Sequence, residues 1–177
     1  MPAFSFCIAR ELITLQKLHP TRRLRRIWEI TKSMLDDMGV TALILDVDNT
    51  LTTHNNPHPD EKVLEWLRVI RQQGIRLVLV SNNRSRRIRP FAEMLGLEYT
   101  ANALKPLGKG FRQAARRVDA RPGEIGVVGD QVFTDVLGGN LFGAKTILVE
   151  PMEEEDKPFF RVKRSLELRA LRNYRER

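Results

Sequence analysis

The stretch LILDVDNTLT, from Leu43 to Thr52, places two carboxylates directly after a run of aliphatic residues. The run from Thr41 to Val47 has the length and composition of a buried strand. Asp46 and Asp48 are two positions apart, so on a strand they share one face and their charges repel each other. Because folding stability alone does not favour this pair, we interpret the two aspartates as parts of a functional site.

The rest of the central sequence alternates between aliphatic runs and amphipathic segments. Four further runs are predicted as strands: Ile75–Asn82, Glu98–Ala101, Ile125–Asp130 and Lys145–Glu150. Three intervening segments have apolar residues at helical spacing: Asp60–Gln73, Ile88–Leu95 and Phe111–Val118. Aliphatic strands that alternate with amphipathic helices are typical of a parallel sheet covered on both faces, so the sequence predicts an α/β fold.

Polar residues follow these strands where each one ends. Ser81 and Asn82 end the second predicted strand, Asp130 ends the fourth, and Lys105 lies in the loop before the third helix. Taken singly, such residues are commonly turn, capping or surface residues. Ligands of parallel α/β sheets bind outside the carboxyl ends of the strands, so we expect these side chains to form one site with the opening aspartates.

The chemistry of this set suits the hydrolysis of a phosphate monoester. Asp46 can attack phosphorus to form an aspartyl-phosphate, and Asp48 can protonate the leaving oxygen and then deprotonate the attacking water. Since carboxylate and phosphate are both anionic, the attack needs a cation, and Mg²⁺ held by Asp46 and Asp130 suits this role. Ser81 can donate a hydrogen bond to the phosphoryl group, and Lys105 can neutralise the charge on its oxygens.

At this point the sequence resembles the haloacid dehalogenase (HAD) phosphatase superfamily. DVDNT matches its first motif, Ser81 the second, Lys105 the third and GDQVFTD (Gly129–Asp135) the fourth. The aspartate at the second position of the first motif marks the phosphatases of the superfamily, because its ATPases carry threonine there. The likeness covers Thr41 to Glu150.

The resemblance implies a Rossmann-like three-layer sandwich with a five-stranded parallel sheet. The first predicted strand would be central, flanked by the second and third on one side and by the fourth and fifth on the other. It also implies that Asp48 offers Mg²⁺ its backbone carbonyl, that Asp130 binds the metal directly, and that Asp135 acts through water or by holding Lys105. The candidate residues are therefore catalytic (Asp46, Asp48, Ser81, Lys105), substrate-binding (Thr50, Asn82, Ser81, Lys105) and metal-binding (Asp46, Asp48, Asp130, Asp135).

Within the superfamily the chain is most similar to the YqeG-type branch of subclass IIIA. The stretches that carry this likeness are DVDNTLT, VSNN, ALKP, VVGDQVFTDVLGGN and TILVEP, and the match extends upstream to Arg26. Relatives of this branch include the mitochondrial phosphatidylglycerophosphate phosphatase of fungi and plants. That relationship implies a phospholipid headgroup as the phosphorylated substrate.

The spacing of the motifs leaves no room for a cap domain, which covers the site in many phosphatases of the superfamily. One loop and one helix fill the interval from Asp46 to Ser81, and one helix and a short strand fill the interval from Ser81 to Lys105. An uncapped site can reach a phosphate on a bulky or surface-bound carrier, such as a phospholipid, a nucleic acid or a protein.

The segments outside the core are basic. We predict an N-terminal helical and basic segment over residues 1–40, the phosphatase core over 41–150, and an acidic linker with a basic tail over 151–177. The formal net charge is +8, with clusters at Arg22–Arg26, at Arg84–Arg89 and in the tail. Such a charge is either a soluble basic surface without a specific partner or an attraction for an anionic one: a membrane surface, a phosphorylated substrate or, less favoured, a nucleic acid.

The tail has the pattern of an amphipathic helix. Its apolar side would carry Phe159, Val162, Leu166, Ala170 and Tyr174, with Lys163 and Glu167 intruding on it. An interfacial membrane helix, packing on the domain and a disordered tail are the three alternatives. Because every candidate catalytic residue precedes Gly138, we expect removal of the tail to spare hydrolysis of a small soluble phosphomonoester.

Two further features bear on location and function. No stretch reaches the roughly 18 apolar residues of a membrane span, and the N-terminus has no basic leader, so we expect a cytoplasmic protein in peripheral contact with the inner face of the membrane. The competing functions are a lipid phosphatase, a phosphatase of RNA ends, sugar phosphates or phosphoproteins, and a non-enzymatic ribosome-associated module. The intact motifs oppose the last, and the sequence does not separate the first two.

Overall fold

The computed structural model describes residues 16–53, 56–153, 158–172 and 174, without the side chains of residues 158–161. Residues 154–157 of the predicted acidic linker and the side chain of Phe159 lie outside this description. Within it the strands are β1 (Arg22–Leu24), β2 (Ala42–Leu45), β3 (Arg76–Val80), β4 (Glu98–Thr100), β5 (Ile125–Gly129) and β6 (Lys145–Val149). The helices are α1 (Lys32–Asp37), α2 (Glu61–Gln72), α3 (Ser85–Leu95), α4 (Gly108–Arg117), α5 (Leu137–Phe142) and α6 (Pro158–Ala170).

The strands form one parallel sheet in the order β1-β6-β5-β2-β3-β4. β2 lies in its interior, where Leu43 is in register with Leu77 of β3 and with Gly126 of β5. The five predicted strands therefore have the predicted order. Because β2 lies inside the sheet, Asp46 and Asp48, which follow it, lie near the middle of the carboxyl edge of the sheet.

The predicted strand number of five is wrong, because β1 adds a sixth strand beside β6. Arg23 is in register with Leu148, and the pairing is parallel. The sequence of β1 gave no sign of this, since it is three residues long and two of them are arginines. An edge strand has one side open to solvent, which tolerates charged side chains that an interior strand excludes.

Alternation along the central strands produces the three layers. Leu43 and Leu45 pack in the apolar cluster that includes α2 and α3, whereas Ala42 and Ile44 pack in the cluster that includes Phe111 of α4. Successive side chains of a strand point to opposite faces, so an all-aliphatic strand such as β2 is buried between two layers of helices. The predicted α/β sandwich is confirmed.

The intervals between the motif residues hold no inserted cap in the described part of the chain. β2 leads through a turn, of which residues 54 and 55 are not described, into α2, whose first turn is capped by Asp60. From β3 to Lys105 every residue is described, and this interval holds α3 and β4. The described part of the chain thus places no cap domain over the site at the sheet edge.

The C-terminal helix α6 packs on the domain. Leu171, just after the helix, packs against the small cluster of Val132, Val136 and Leu148. Val162 and Leu166, which belong to the predicted apolar side, are 61% and 49% exposed. The helix therefore contacts the domain with a different face from the one that its hydrophobic pattern indicates. None of the helices in the described ranges has the length and apolar character needed to span a bilayer.

Candidate active site

The turn after β2 holds Asp46 at the carboxyl end of the sheet. The Asp46 amide donates to the Val128 carbonyl at 2.9 Å, which continues the pairing of β2 with β5. Asn49 then reverses the chain with a φ of 60°. The Thr50 hydroxyl, which is buried, donates to Asp46 Oδ2 at 3.4 Å. The turn thus places the predicted nucleophile and the predicted substrate-binding Thr50 side by side.

Lys105 lies at the centre of the buried charges. Its Nζ donates to Asp46 Oδ1 at 2.5 Å and to Asp135 Oδ1 at 2.6 Å, and its side chain is 4% exposed. Burial alone would lower the pKa of Lys105, but Asp135 and Asp46 together raise it above its ordinary value. Lys105 is therefore cationic at neutral pH and holds both carboxylates in place.

The loop that carries Lys105 is fixed by the end of β3. Asn82 Oδ1 accepts from the Lys105 amide at 2.7 Å, and Asn82 Nδ2 donates to the Lys105 carbonyl at 3.3 Å. The neighbouring Ser81 is buried, and its Oγ accepts from the Asn83 amide at 3.0 Å. The side-chain amide of Asn82 thus holds the loop that carries Lys105. Contact of Asn82 with substrate stays a prediction, and so does contact of Ser81 with substrate.

The fourth motif brings Asp130 and Asp135 to the same place. Asp130 directly follows β5, and Asp135 lies in the π-helical turn Val132–Val136 that leads into α5. Asp135 Oδ2 accepts from the Gln131 amide at 3.3 Å and from the Thr134 hydroxyl at 3.2 Å. The resemblance implies two functions for Asp135: acting on the metal through water, or holding Lys105. The side chain of Asp135 is in direct contact with Lys105.

Three of the four predicted metal ligands lie together. One carboxylate oxygen each of Asp46, Asp130 and Asp135 lie within 4.8 Å of one another, and all three residues are buried. Asp130 Oδ1 is buried and finds no hydrogen-bond donor among the described residues. A buried carboxylate oxygen without a donor is costly, and oxygen ligands are those that hard divalent cations prefer. The cluster can therefore hold a metal ion.

Burial perturbs two of the carboxyls that are predicted to bind the metal. It raises the pKa of Asp46 to about 7, although Lys105 opposes the shift. It raises the pKa of Asp130 to about 8, although Arg164 opposes the shift. A bound cation would favour the deprotonated form of each. When Asp46, Asp130 and Asp135 are all deprotonated, their charge exceeds that of the two cations that contact them, Lys105 and Arg164.

Asp48 is separate from this cluster. Asn83 Nδ2 donates to Asp48 Oδ2 at 2.6 Å, and Arg87 Nη2 lies 2.5 Å from Asp48 Oδ1. The Asp48 side chain is 18% exposed, so it lies at the mouth of the site. This placement agrees with an acid–base function for the carboxylate; a metal contact through the backbone carbonyl stays a prediction.

Sequence reasoning missed four residues around the site. Asn83 and Arg87 bind Asp48, Arg164 of α6 binds Asp130, and Glu167 accepts from the Val132 amide. The sequence pattern assigns Arg87 to a basic cluster and makes Glu167 an interruption of an apolar side. Helical spacing puts Arg164 and Glu167 on one face of α6 and indicates that they can pair, but it does not indicate their contacts with Asp130 and Val132.

Comparisons with known proteins agree with this geometry. The family model of the haloacid dehalogenase-like hydrolases matches residues 21–143. A protein of Bacillus subtilis (strain 168) named probable phosphatase YqeG is 38% identical over 152 residues, which span 86% of this chain and 88% of that protein. This similarity supports a phosphatase.

Two other relatives are named for their substrates. The glyceraldehyde 3-phosphate phosphatase of Methanopyrus kandleri is 27% identical over 146 residues, 73% of this chain and 62% of that protein. Phosphatidylglycerophosphate phosphatase 1, chloroplastic/mitochondrial, of Arabidopsis thaliana is 24% identical over 159 residues, 83% of this chain and 44% of that protein. Among solved structures, a HAD family hydrolase from Deinococcus radiodurans R1 has a TM-score of 0.52 at 15% identity, covering 76% of this chain and 89% of that one. That likeness concerns the fold alone.

Proposed function

This chain belongs to the haloacid dehalogenase-like hydrolase family, and we propose that it is a Mg²⁺-dependent phosphatase acting through an aspartyl-phosphate, with phosphatidylglycerophosphate as its substrate. The observation that carries the proposal is the buried group of Asp46, Lys105, Asp130 and Asp135 at an open sheet edge. Its three carboxylates outnumber the two cations that contact them, Lys105 and Arg164, which is the electrostatic setting for a divalent cation.

Asp46 is the proposed nucleophile. Lys105 holds its Oδ1 at 2.5 Å, whereas among the described residues its Oδ2 has only the long 3.4 Å contact with Thr50. Attack of an Asp46 oxygen on phosphorus forms the aspartyl-phosphate and breaks the bond to the leaving oxygen, which takes a proton from Asp48. Water then attacks phosphorus, Asp48 takes the proton of that water, and inorganic phosphate leaves with Asp46 regenerated.

The remaining site residues bind and orient the phosphoryl group. Mg²⁺ held by Asp46 and Asp130 would neutralise the charge of the phosphate oxygens. Lys105 would add a fixed positive charge beside the phosphoryl oxygens. Ser81, which follows β3, would donate a hydrogen bond to the phosphoryl group. Asp135 keeps Lys105 in place through the 2.6 Å contact with its Nζ.

The open site and the outer face of α6 favour a lipid substrate. Val162 and Leu166 are exposed on α6, and Arg169 is exposed on the same helix. Such a surface can lie at the interface of an anionic bilayer, where each Lys or Arg near the surface contributes roughly 1 kcal/mol of attraction. The likeness to the Arabidopsis enzyme supports phosphatidylglycerophosphate as the substrate. A phosphatase of this lipid would act at a membrane surface.

A sugar phosphate is the second candidate substrate. It is favoured by the likeness to the archaeal glyceraldehyde 3-phosphate phosphatase, which is slightly higher in identity than the likeness to the plant enzyme. The uncapped site opposes it, because a small free metabolite gains from a site that closes over it and excludes water.

A phosphate-release screen tests the proposal. The substrates are phosphatidylglycerophosphate in vesicles, glyceraldehyde 3-phosphate, and oligonucleotides phosphorylated at either end, each with Mg²⁺ and with excess chelator. We expect the highest kcat/KM on the lipid, and no release in chelator or with the Asp46→Asn variant as control. Release from glyceraldehyde 3-phosphate alone would remove the lipid and leave the phosphatase, whereas full activity in chelator would contradict the metal-dependent mechanism.

A further inference from the structure

Helix α6 reaches the candidate metal site with a pair of charged residues. Arg164 Nη2 donates to Asp130 Oδ2, and Arg164 Nη1 donates to the Asp130 carbonyl at 2.5 Å and to Glu167 Oε2 at 2.9 Å. The other oxygen of Glu167 accepts from the Val132 amide at 3.0 Å. Arg164 and Glu167 together therefore hold the chain where it leaves β5.

This contact is not explained by hydrophobic packing. The side chain of Asp130 is fully buried, Glu167 is 3% exposed, and Arg164 is 27% exposed, whereas Val162 and Leu166 of the same helix face solvent. An amphipathic helix ordinarily buries its apolar side. Desolvating three charged groups contributes little or nothing to folding stability.

The contact fixes the orientation of one carboxylate. Arg164 holds both the backbone carbonyl and Oδ2 of Asp130, which leaves Oδ1 buried without a donor among the described residues. An oxygen of Asp130 lies within 4.8 Å of oxygens of Asp46 and Asp135. We propose that Arg164 is a positioning residue that presents Asp130 Oδ1 to the metal, so that α6 is a working part of the metal site. This inference rests on the metal site of the proposed function.

The same contact has an opposite interpretation, in which Arg164 competes with the metal for Asp130. A guanidinium close to a metal ligand repels the cation, so a competitor would lower metal affinity. The geometry favours positioning, because Arg164 is itself anchored by Glu167 and binds Asp130 through the backbone carbonyl and Oδ2, not through Oδ1. The two interpretations differ in the sign of the change in metal affinity when Arg164 is replaced.

Metal affinity in the absence of substrate is the deciding measurement. Arg164→Met removes the donors and keeps an unbranched stem, and Arg169→Met removes an exposed arginine of the same helix as the matched control. Mn²⁺ is titrated into each full-length protein and free Mn²⁺ is followed by electron paramagnetic resonance. Loss of a residue that orients a metal ligand typically weakens binding by about 10–100-fold, so we expect the Kd of Arg164→Met to rise at least about tenfold and that of Arg169→Met to change less than about twofold.

A kinetic readout separates positioning from general damage to the fold. If Arg164 acts through metal binding, the Mg²⁺ concentration for half-maximal activity rises in Arg164→Met, while kcat at saturating Mg²⁺ stays near the wild-type value. A kcat that stays low at saturating Mg²⁺ together with an unchanged Kd for Mn²⁺ overturns the inference. Should Arg164→Met not fold, Glu167→Gln removes the carboxylate that anchors Arg164 and keeps an acceptor for Val132; its Kd is expected to rise as well, and an unchanged Kd overturns the inference.

The remaining outcomes are also distinct. An equal or lower Kd in Arg164→Met overturns the positioning function, and a lower one makes Arg164 a competitor of the metal. If the wild-type protein itself binds no Mn²⁺, the metal site of the proposed function fails, and this inference fails with it. Wild-type binding with an unaffected variant leaves the proposed function standing.

Discussion

The carboxylate of Asp46 is the residue on which the proposed chemistry depends. Asp46→Asn keeps the shape of the side chain, but a carboxamide is a poor nucleophile and a weaker metal ligand. We expect phosphate release to fall about 10⁴-fold or more, as it does when a covalent nucleophile is removed elsewhere. Lys105 keeps its contact with Asp135, so the variant should fold. A folded variant that releases phosphate near the wild-type rate would exclude the mechanism.

Asp48 should affect turnover without affecting the metal. Its side chain is held by Asn83 and Arg87 at the mouth of the site, away from the three clustered carboxylates. Loss of general acid–base catalysis costs about 10²–10⁴-fold in rate, so we expect that decrease in kcat for Asp48→Asn. The Kd for Mn²⁺, measured without substrate, should stay unchanged. Unchanged turnover would reduce Asp48 to a turn residue.

The raised pKa values predict how stability depends on pH in the metal-free protein. The pKa of Asp46 is raised to about 7 and that of Asp130 to about 8, in both cases by burial. The folded state therefore keeps protons that the unfolded state has already lost. The contribution of the two groups to the free energy of unfolding is complete below the ordinary pKa of aspartate, and it is lost as pH rises through 7 to 8.

Urea unfolding in excess chelator measures this dependence. The free energy of unfolding should be lower at about pH 8.5 than at about pH 6, and Asp130→Asn should flatten the difference. Added Mg²⁺ should stabilise the protein more at the higher pH, because carboxylate ligands bind metal in their deprotonated form. Stability that rises steadily over this range in chelator would contradict the raised pKa values.

The long-range partners at residue scale were beyond what the sequence could predict. Asp46, Lys105 and Asp130 were placed by motif and strand end, since the topology of a parallel sheet brings strand ends together. Arg87 lies 39 positions from Asp48 and Arg164 lies 34 positions from Asp130. Their contacts depend on the exact direction of α3 and α6, which no local pattern determines.

At the scale of elements, β5 must approach the following turn closely. A Cβ on Gly129 would lie 2.3 Å from Cγ of Asp135, a distance that requires the aspartate to move. Because Asp135 holds Lys105, we expect Gly129→Ala to disturb the centre of the site. Overpacking of this kind costs typically about 1–3 kcal/mol in the free energy of unfolding.

Chemical denaturation and phosphate release check this expectation with a matched control. Gly123→Ala adds the same methyl group at a position where, apart from the chain neighbours, the described residues place no heavy atom within 4 Å of the new Cβ. We expect it to leave both stability and activity close to wild type. Equal effects of the two substitutions would mean that the close approach of β5 to Asp135 has no functional consequence.

The elements that the sequence predicted well are those with a strong periodic pattern. β2 and β5 are buried throughout, and α3 ends at Gly96, which adopts the left-handed conformation expected of a helix stop. β1 and the face with which α6 meets the domain were missed for one physical reason. β1 is held by backbone pairing, and Arg164 and Glu167 of α6 bind the domain through charged side chains, whereas hydrophobic periodicity carries no information about either kind of contact.

At the scale of the whole molecule, α6 links the metal site to the surface. Its inner face holds Arg164 against Asp130, and its outer face exposes Val162 and Leu166. All candidate catalytic residues precede Gly138, yet the contact with Asp130 revises the expectation that the tail is dispensable. We now expect its loss to weaken metal binding as well as any binding to membranes.

Binding to liposomes tests the outer face of α6. Vesicles that contain anionic lipid should sediment the protein at low salt, and binding should fall as salt rises, because exposed charges are screened beyond about 8–10 Å at physiological ionic strength. Val162→Asp combined with Leu166→Asp should weaken sedimentation, whereas Leu64→Asp, at an exposed position of α2, should not. All variants should hydrolyse a soluble phosphomonoester at the wild-type rate, since none of these residues touches the site.

The nucleic-acid alternative predicts instead that the protein does not bind vesicles and that oligonucleotides bind with a steep salt dependence. A protein that stays in the supernatant with anionic vesicles and releases no phosphate from phosphatidylglycerophosphate would leave the phosphatase without its lipid substrate.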